Sequence, residues 1–148
     1  VLDSALRLPS TAKLLSHPTL RPWVVTTPRA DAADERRIEE AGGVVIRVVA
    51  GRDGRVDLGA LLDALHERGI RSLMVEGGAA VITSFLSAEL VDRVAITVAP
   101  VYVGGLNAVE NSVWVDGHLR PHLRNPSYER VGCDLVLTGD IASDEPRQ

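Results

Sequence analysis

The sequence predicts an α/β protein in three layers, with a mostly parallel sheet between helices and an antiparallel hairpin at the C-terminus. Three observations predict it. Short β-branched runs alternate with helical patterns as far as Pro100, the mark of βαβ units and a parallel sheet covered on both faces. The helical stretches carry start and stop residues at the expected offsets. The tail "YERVGCDLVLTGD" (128–140) breaks the alternation and reads as two strands meeting near Gly132, an antiparallel edge hairpin.

In order, Val1-Leu2 followed by Asp3-Ser4 reads as a strand end running into a polar corner. Pro9-Ser10-Thr11 opens a short helical turn through Leu14-Leu15. "WVVTT" (23–27) is a short buried strand stopped by Pro28. Asp31 is the expected N-cap of a helix through Ala41, with Asp34 and Glu35 in its first turn. Gly42-Gly43 supplies the left-handed stop. "VVIRVV" (44–49) is the second strand, and Asp53-Gly54 a turn. Asp57 then caps a helix with Leu58, Leu61, Leu62 and Leu65 on one stripe, ended by Gly69.

"SLMVE" (72–76) is the expected third strand, and the helix after it carries Ile82, Phe85 and Leu86 on one stripe. "RVAITVAP" (93–100) is apolar on both faces and is expected to lie centrally. Residues 104–126 hold Gly, Asn, Pro and His with little periodicity and are expected to be mostly loop.

Bulk properties narrow the function. The 148 residues fit one domain, 45% hydrophobic and 24% charged. A net charge of −4 and an aromatic content of 3% argue against a nucleic-acid binder, which needs a basic stripe or stacking platforms. No apolar run approaches the ~18 residues that span a bilayer, and no signal peptide opens the chain. The single Cys133 cannot form an internal disulfide, and a small buried filler is its expected role. A cytoplasmic protein is the default expectation. Val1 stands where a natural start carries Met, so a piece of a longer protein is expected.

The stretch "LMVEGGAAVITSFL" (73–86) carries the chemistry. A helix N-terminus offers unpaired N–H groups and a partial positive charge. Glycines before it let another molecule approach the backbone. At the carboxyl end of a parallel strand, Gly77-Gly78 therefore suits an anion, a phosphate above all, although a plain tight turn is the alternative. The stretch is neither a P-loop nor G-x-G-x-x-G. A carboxylate ending a buried strand needs a partner. Glu76 would repel a phosphate, so its natural partner is a donor-rich neutral group beside one, such as the amino groups of a pyrimidine. A structural pair with an arginine is the competing reading.

"LMVEGGAAVITSFL" with "LVDRVAITVAPVYVGG" resembles the reductase domain of riboflavin biosynthesis, the C-terminal domain of bifunctional RibD type, which has a dihydrofolate-reductase-like fold. "VLDSALRLP" and "VGCDLVLTG" are similar to further stretches of that domain, so the resemblance covers nearly the whole chain. It implies NADPH-dependent reduction of a ribosylamino-pyrimidine 5′-phosphate to its ribitylamino form. It also implies that Glu76 contacts the substrate, and that Ser4, Gly78, Ala79, Ala80, Val81, Ile82, Thr83 and Ser84 contact the cofactor. Gly77 joins them through the phosphate argument. Thr26 and Thr27 end a parallel strand and so face the ligand side, which adds them to the cofactor set. Arg7 is a candidate for a phosphate, with a surface salt bridge as the alternative.

Hydride transfer to an imine-like C1′ asks mainly for positioning and exclusion of water, so no catalytic residue is expected to stand out. The family's domain normally begins with another strand, a Ser-x-Asp-Gly-like segment and a helix. The chain is therefore expected to be one reductase-like domain, 1–148, incomplete at its N-terminus. A non-catalytic remnant binding a nucleotide or a partner is the alternative function. A true dihydrofolate reductase is disfavoured, because its pattern lacks the acid at Glu76. Dimers are implied by the resemblance and by a hairpin edge that needs cover. No metal site is expected: His118 and His122 have ligand spacing, but Pro121 breaks the helix they would need.

Overall fold

In a computed structural model the described residues are 1–105, 107–110 and 122–142. They form two compact units, Val1–Leu73 and Met74–Gln148. The first unit contains strand β1 (Trp23–Thr26), helix α1 (Ala32–Glu40), strand β2 (Val44–Arg47) and helix α2 (Leu58–Glu67). β1 and β2 pair in parallel, Val24 opposite Val45 and Val25 opposite Ile46. Leu2 adds a parallel bridge to Val25, so the chain start lies beside β1 as a strand end should.

Local chemistry fixes both helices of this unit. Asp31 caps α1 by accepting from the Ala33 N–H at 2.7 Å, and Asp57 caps α2 by accepting from the Ala60 N–H at 2.8 Å. Gly42, at φ +103°, closes α1 in the left-handed region, where a Cβ would also come within 2.6 Å of the Leu15 carbonyl. The core is Leu6, Leu15, Val24 and Ile38, with Leu8 and Val45 packed against it. Leu61 and Leu65 are the buried pair of the α2 stripe.

The second unit contains helix α3 (Ala79–Ser87) and strands β3 (Arg93–Val98), β4 (His122–Val131) and β5 (Asp134–Ala142). The predicted hairpin forms, with Gly132 turning at φ +64°. It starts earlier than expected. His122 already belongs to β4, so the C-terminal part of the expected loop is strand. Pro126 is accommodated because the register shifts between Arg124 and Ser127, with Asn125 at φ +49°.

Three further expectations are corrected. Residues 72–76 form no strand: the backbone there joins no ladder, and Leu73 and Met74 are 44% and 78% exposed. β3 forms, but among the described residues it pairs only with β5, antiparallel, at the edge of a sheet ordered β3-β5-β4. Ile96 and Val98 are exposed there, so its apolar residues are not those of a central strand. Cys133 is exposed at the hairpin turn rather than buried, its Sγ 3.5 Å from Asp134 Oδ1. His118 lies outside the described residues.

Candidate active site

In the first unit the segment after the chain start folds into a tight corner. The Asp3 N–H donates to the Val25 carbonyl at 2.9 Å, and the Leu6 N–H donates back to the Asp3 carbonyl at 3.1 Å. Asp3 Oδ2 accepts from the Leu8 N–H at 2.7 Å. Leu6 takes φ +50° while fully buried, a conformation that a leucine holds only when its surroundings impose it. The next side chain, Arg7, stands exposed, with no hydrogen bond or ion pair among the described residues.

Thr26 ends β1, Thr27 follows it, and Ser4 lies against Thr27. Thr27 Oγ1 donates to the Ser4 carbonyl at 3.1 Å. Ser4 Oγ accepts from the Val56 N–H at 3.1 Å, which leaves its own O–H as a donor. Both threonines are buried. Thr26 Oγ1 is buried with no hydrogen-bond partner among the described residues.

In the second unit the Glu-Gly-Gly junction differs from the expected one in its strand but not in its helix. Glu76 is exposed, not sunk at the end of a buried strand, because no ladder forms around it. No arginine pairs with it among the described residues. Gly78 is the N-cap of α3, at φ −72° and ψ 168°, and provides no side-chain cap; the first turn carries no acid. Val81 N–H and Ile82 N–H reach the Gly78 carbonyl at 3.1 and 3.3 Å. The N–H groups of Ala79 and Ala80 have no partner among the described residues.

The two glycines are not equivalent. A Cβ at Gly77 would lie 3.3 Å from Val81 Cβ, whereas one at Gly78 would meet nothing within 4 Å among the described residues. The open space needed for a phosphate is therefore at Gly78. Further along α3 the hydroxyls are engaged internally. Buried Thr83 Oγ1 accepts from the Glu110 N–H at 2.7 Å, and Ser84 Oγ donates to the Ala80 carbonyl at 2.8 Å. Val81 and Ile82 are half-buried. Donors for an anion thus come from the first turn.

Two arginines that sequence reasoning missed shape the first unit. Arg37 donates to the Leu6 and Leu8 carbonyls at 2.6 Å each and pairs with Asp34 at 3.1 Å. Arg47 donates to the Thr27 and Ala30 carbonyls at 3.3 and 3.1 Å and pairs with Glu35. Each pins a loop next to β1. The only sequence signal was the i, i+3 spacing of Asp34 and Arg37.

A family model described as the RibD C-terminal domain matches residues 1–137. A 2,5-diamino-6-ribosylamino-4(3H)-pyrimidinone 5′-phosphate reductase from Archaeoglobus fulgidus is 40% identical over 139 residues, covering 93% of this chain and 60% of that protein. A protein of the same name from Aquifex aeolicus is 39% identical over 144 residues, covering 95% of this chain and 62% of that protein. The chain therefore spans about three fifths of the length of these relatives. The crystal structure of a pyrimidine reductase-like protein from Corynebacterium diphtheriae superposes with a TM-score of 0.69 at 23% identity, over 97% of this chain and 60% of that one. The fold is the dihydrofolate-reductase-like α/β fold, with its parallel pair and its antiparallel C-terminal strands. The chain belongs to the RibD C-terminal domain family.

Proposed function

We propose that the protein reduces a ribosylamino-pyrimidine 5′-phosphate to its ribitylamino form in riboflavin biosynthesis, with NADPH as cofactor. The observation that carries this reading is the start of α3: an uncapped helix N-terminus, open space at Gly78, and an exposed carboxylate two residues before it. The names of the relatives, reductases of 2,5-diamino-6-ribosylamino-4(3H)-pyrimidinone 5′-phosphate, supply the substrate class. The residues at Gly78 fit a nucleotide phosphate, because free N–H donors and the helix dipole both favour an anion there.

In this reading Gly77, Gly78 and the first turn of α3 hold a cofactor phosphate; the cofactor role given to Ser4 rests on the family resemblance, and that given to Thr26 and Thr27 on their place at a parallel strand end. Within α3, Thr83 and Ser84 support that turn. Glu76 accepts hydrogen bonds from the pyrimidine, and Arg7 neutralises the substrate phosphate. NADPH supplies the hydride that adds to C1′, and a proton adds to the attached nitrogen. The protein's part is to position the two and exclude water.

The working form is a homodimer of a single reductase domain in the cytoplasm. Support for the dimer is the β3-β5-β4 face, where Ile96, Val98, Leu135 and Tyr128 are all exposed. Support for the location is the single cysteine, which can make no internal disulfide.

Glu76→Gln in the full-length protein tests the division of roles. The amide keeps the size but turns donors toward ligand donors, so the substrate KM should rise about tenfold or more while NADPH affinity changes little. Loss of NADPH binding with normal substrate use would make Glu76 a cofactor or structural residue and overturn the assignment.

A further inference from the structure

We infer that Arg37 is a positioning residue that holds Arg7 in place for a phosphate. The inference rests on the phosphate role proposed above for Arg7. The corner carrying Arg7 is held from outside itself. Its central residue, Leu6, sits in the left-handed region with its side chain sealed in the core. Such a turn reverts to ordinary backbone geometry unless something over-determines it. Arg37 does this from α1, 31 residues away from Leu6, by gripping the carbonyls on either side of Arg7 at 2.6 Å each.

Asp34 fixes the grip, accepting from Arg37 Nε at 3.2 Å and Nη2 at 3.1 Å. Every nitrogen of the Arg37 guanidinium is thereby engaged with protein, so this arginine is not itself the anion ligand. Arg7 is the reverse case. Its backbone is clamped on both sides and its guanidinium has no partner among the described residues. A fixed backbone under an unpaired guanidinium is a pre-organised anion receptor, and pre-organisation lowers the ordering cost of binding. The planar fork of an arginine presents separate nitrogens to the two carbonyls in a fixed geometry, which the compact, freely rotating ammonium of a lysine does not reproduce.

Ribose 5-phosphate titrated into the full-length protein tests this without turnover. Arg7→Ala should weaken its binding about tenfold, and Arg37→Met should weaken it by a similar factor. If Arg37 acts through Arg7, the double variant is no weaker than Arg7→Ala alone. Unphosphorylated ribose should show no such dependence. Arg37→Lys should fall between wild type and Arg37→Met.

Multiplying losses in the double variant, unchanged binding in Arg37→Met, or no ribose 5-phosphate binding by the wild type overturns the inference. If Arg37→Met does not melt cooperatively, Asp34→Asn takes its place. That variant leaves the guanidinium but removes the charge that orients it, and should weaken binding by a smaller factor, again lost in the Arg7→Ala background. Unchanged binding in Asp34→Asn would then overturn the inference. Coupled binding without reduction of the pyrimidine substrate would sink the proposed function and leave the clamp standing. Turnover with uncoupled binding would do the opposite.

Discussion

Replacing Gly78 by aspartate should move stability and cofactor affinity in opposite directions. Gly78 caps α3 at φ −72° and ψ 168°, in the same backbone region as the two aspartate caps, Asp31 at −68° and 143° and Asp57 at −69° and 124°. Among the described residues a Cβ there meets nothing within 4 Å, so the substitution adds no clash with them. The new carboxylate can accept from the unpartnered N–H groups of the first turn, as Asp31 and Asp57 do in their own helices. Capping by Asp rather than Gly contributes a few tenths of a kcal/mol, and a negative charge at the helix start roughly 0.3–1 kcal/mol more.

The same carboxylate occupies the position proposed for a cofactor phosphate. Like charges at one seat should weaken NADPH at least about tenfold, or about 1.4 kcal/mol. Thermal melting and a fluorescence titration with NADPH measure the two quantities on one sample. A higher Tm with weaker NADPH identifies the seat. Unchanged NADPH affinity would refute it, and a lower Tm would show that the helix start is not the open N-cap described.

Two other perturbations follow from named groups. Thr26→Val removes a buried hydroxyl that has no partner among the described residues, so stability should rise by roughly 0.5–2 kcal/mol while NADPH binding weakens; a lower Tm in denaturation, or unaltered NADPH affinity, goes against the role given to Thr26. Ile96→Glu places a charge on the exposed apolar face of β3 and should convert a dimer to a monomer by light scattering, whereas a monomeric wild type contradicts the proposed assembly.

What the sequence made legible was mostly local chemistry. Asp31 and Asp57 cap their helices, and Gly42, Gly69 and Gly132 each take positive φ at the predicted stops and turn. Such features depend on a few neighbouring residues, which a sequence displays directly. Strands are harder, since a strand exists only if another chain segment lies beside it. The run Leu73-Met74-Val75 is apolar, as Trp23-Val24-Val25 of β1 is, but joins no ladder among the described residues. β3 has a run apolar on both faces, yet lies at a sheet edge. His122 to Pro126 read as loop because proline and asparagine rarely sit inside strands, and the register shift that admits them is a property of the pair β4-β5.

The candidate site divides along the same line. The helix start at Gly78, on which the proposed phosphate seat rests, was legible because a helix start is local. The environment of Glu76 was misread because it was inferred from a strand that does not form. The arginine clamps were invisible, since nothing in the sequence connects Arg37 to the carbonyls of Leu6 and Leu8, or Arg47 to those of Thr27 and Ala30.

The reaction itself is the most direct test. The full-length protein is mixed with 2,5-diamino-6-ribosylamino-4(3H)-pyrimidinone 5′-phosphate and NADPH, and NADPH oxidation is followed alongside mass detection of the product. The account predicts that each NADPH consumed yields one ribitylamino product, heavier than the substrate by two hydrogens. Saturable NADPH binding without any substrate-dependent oxidation would contradict it.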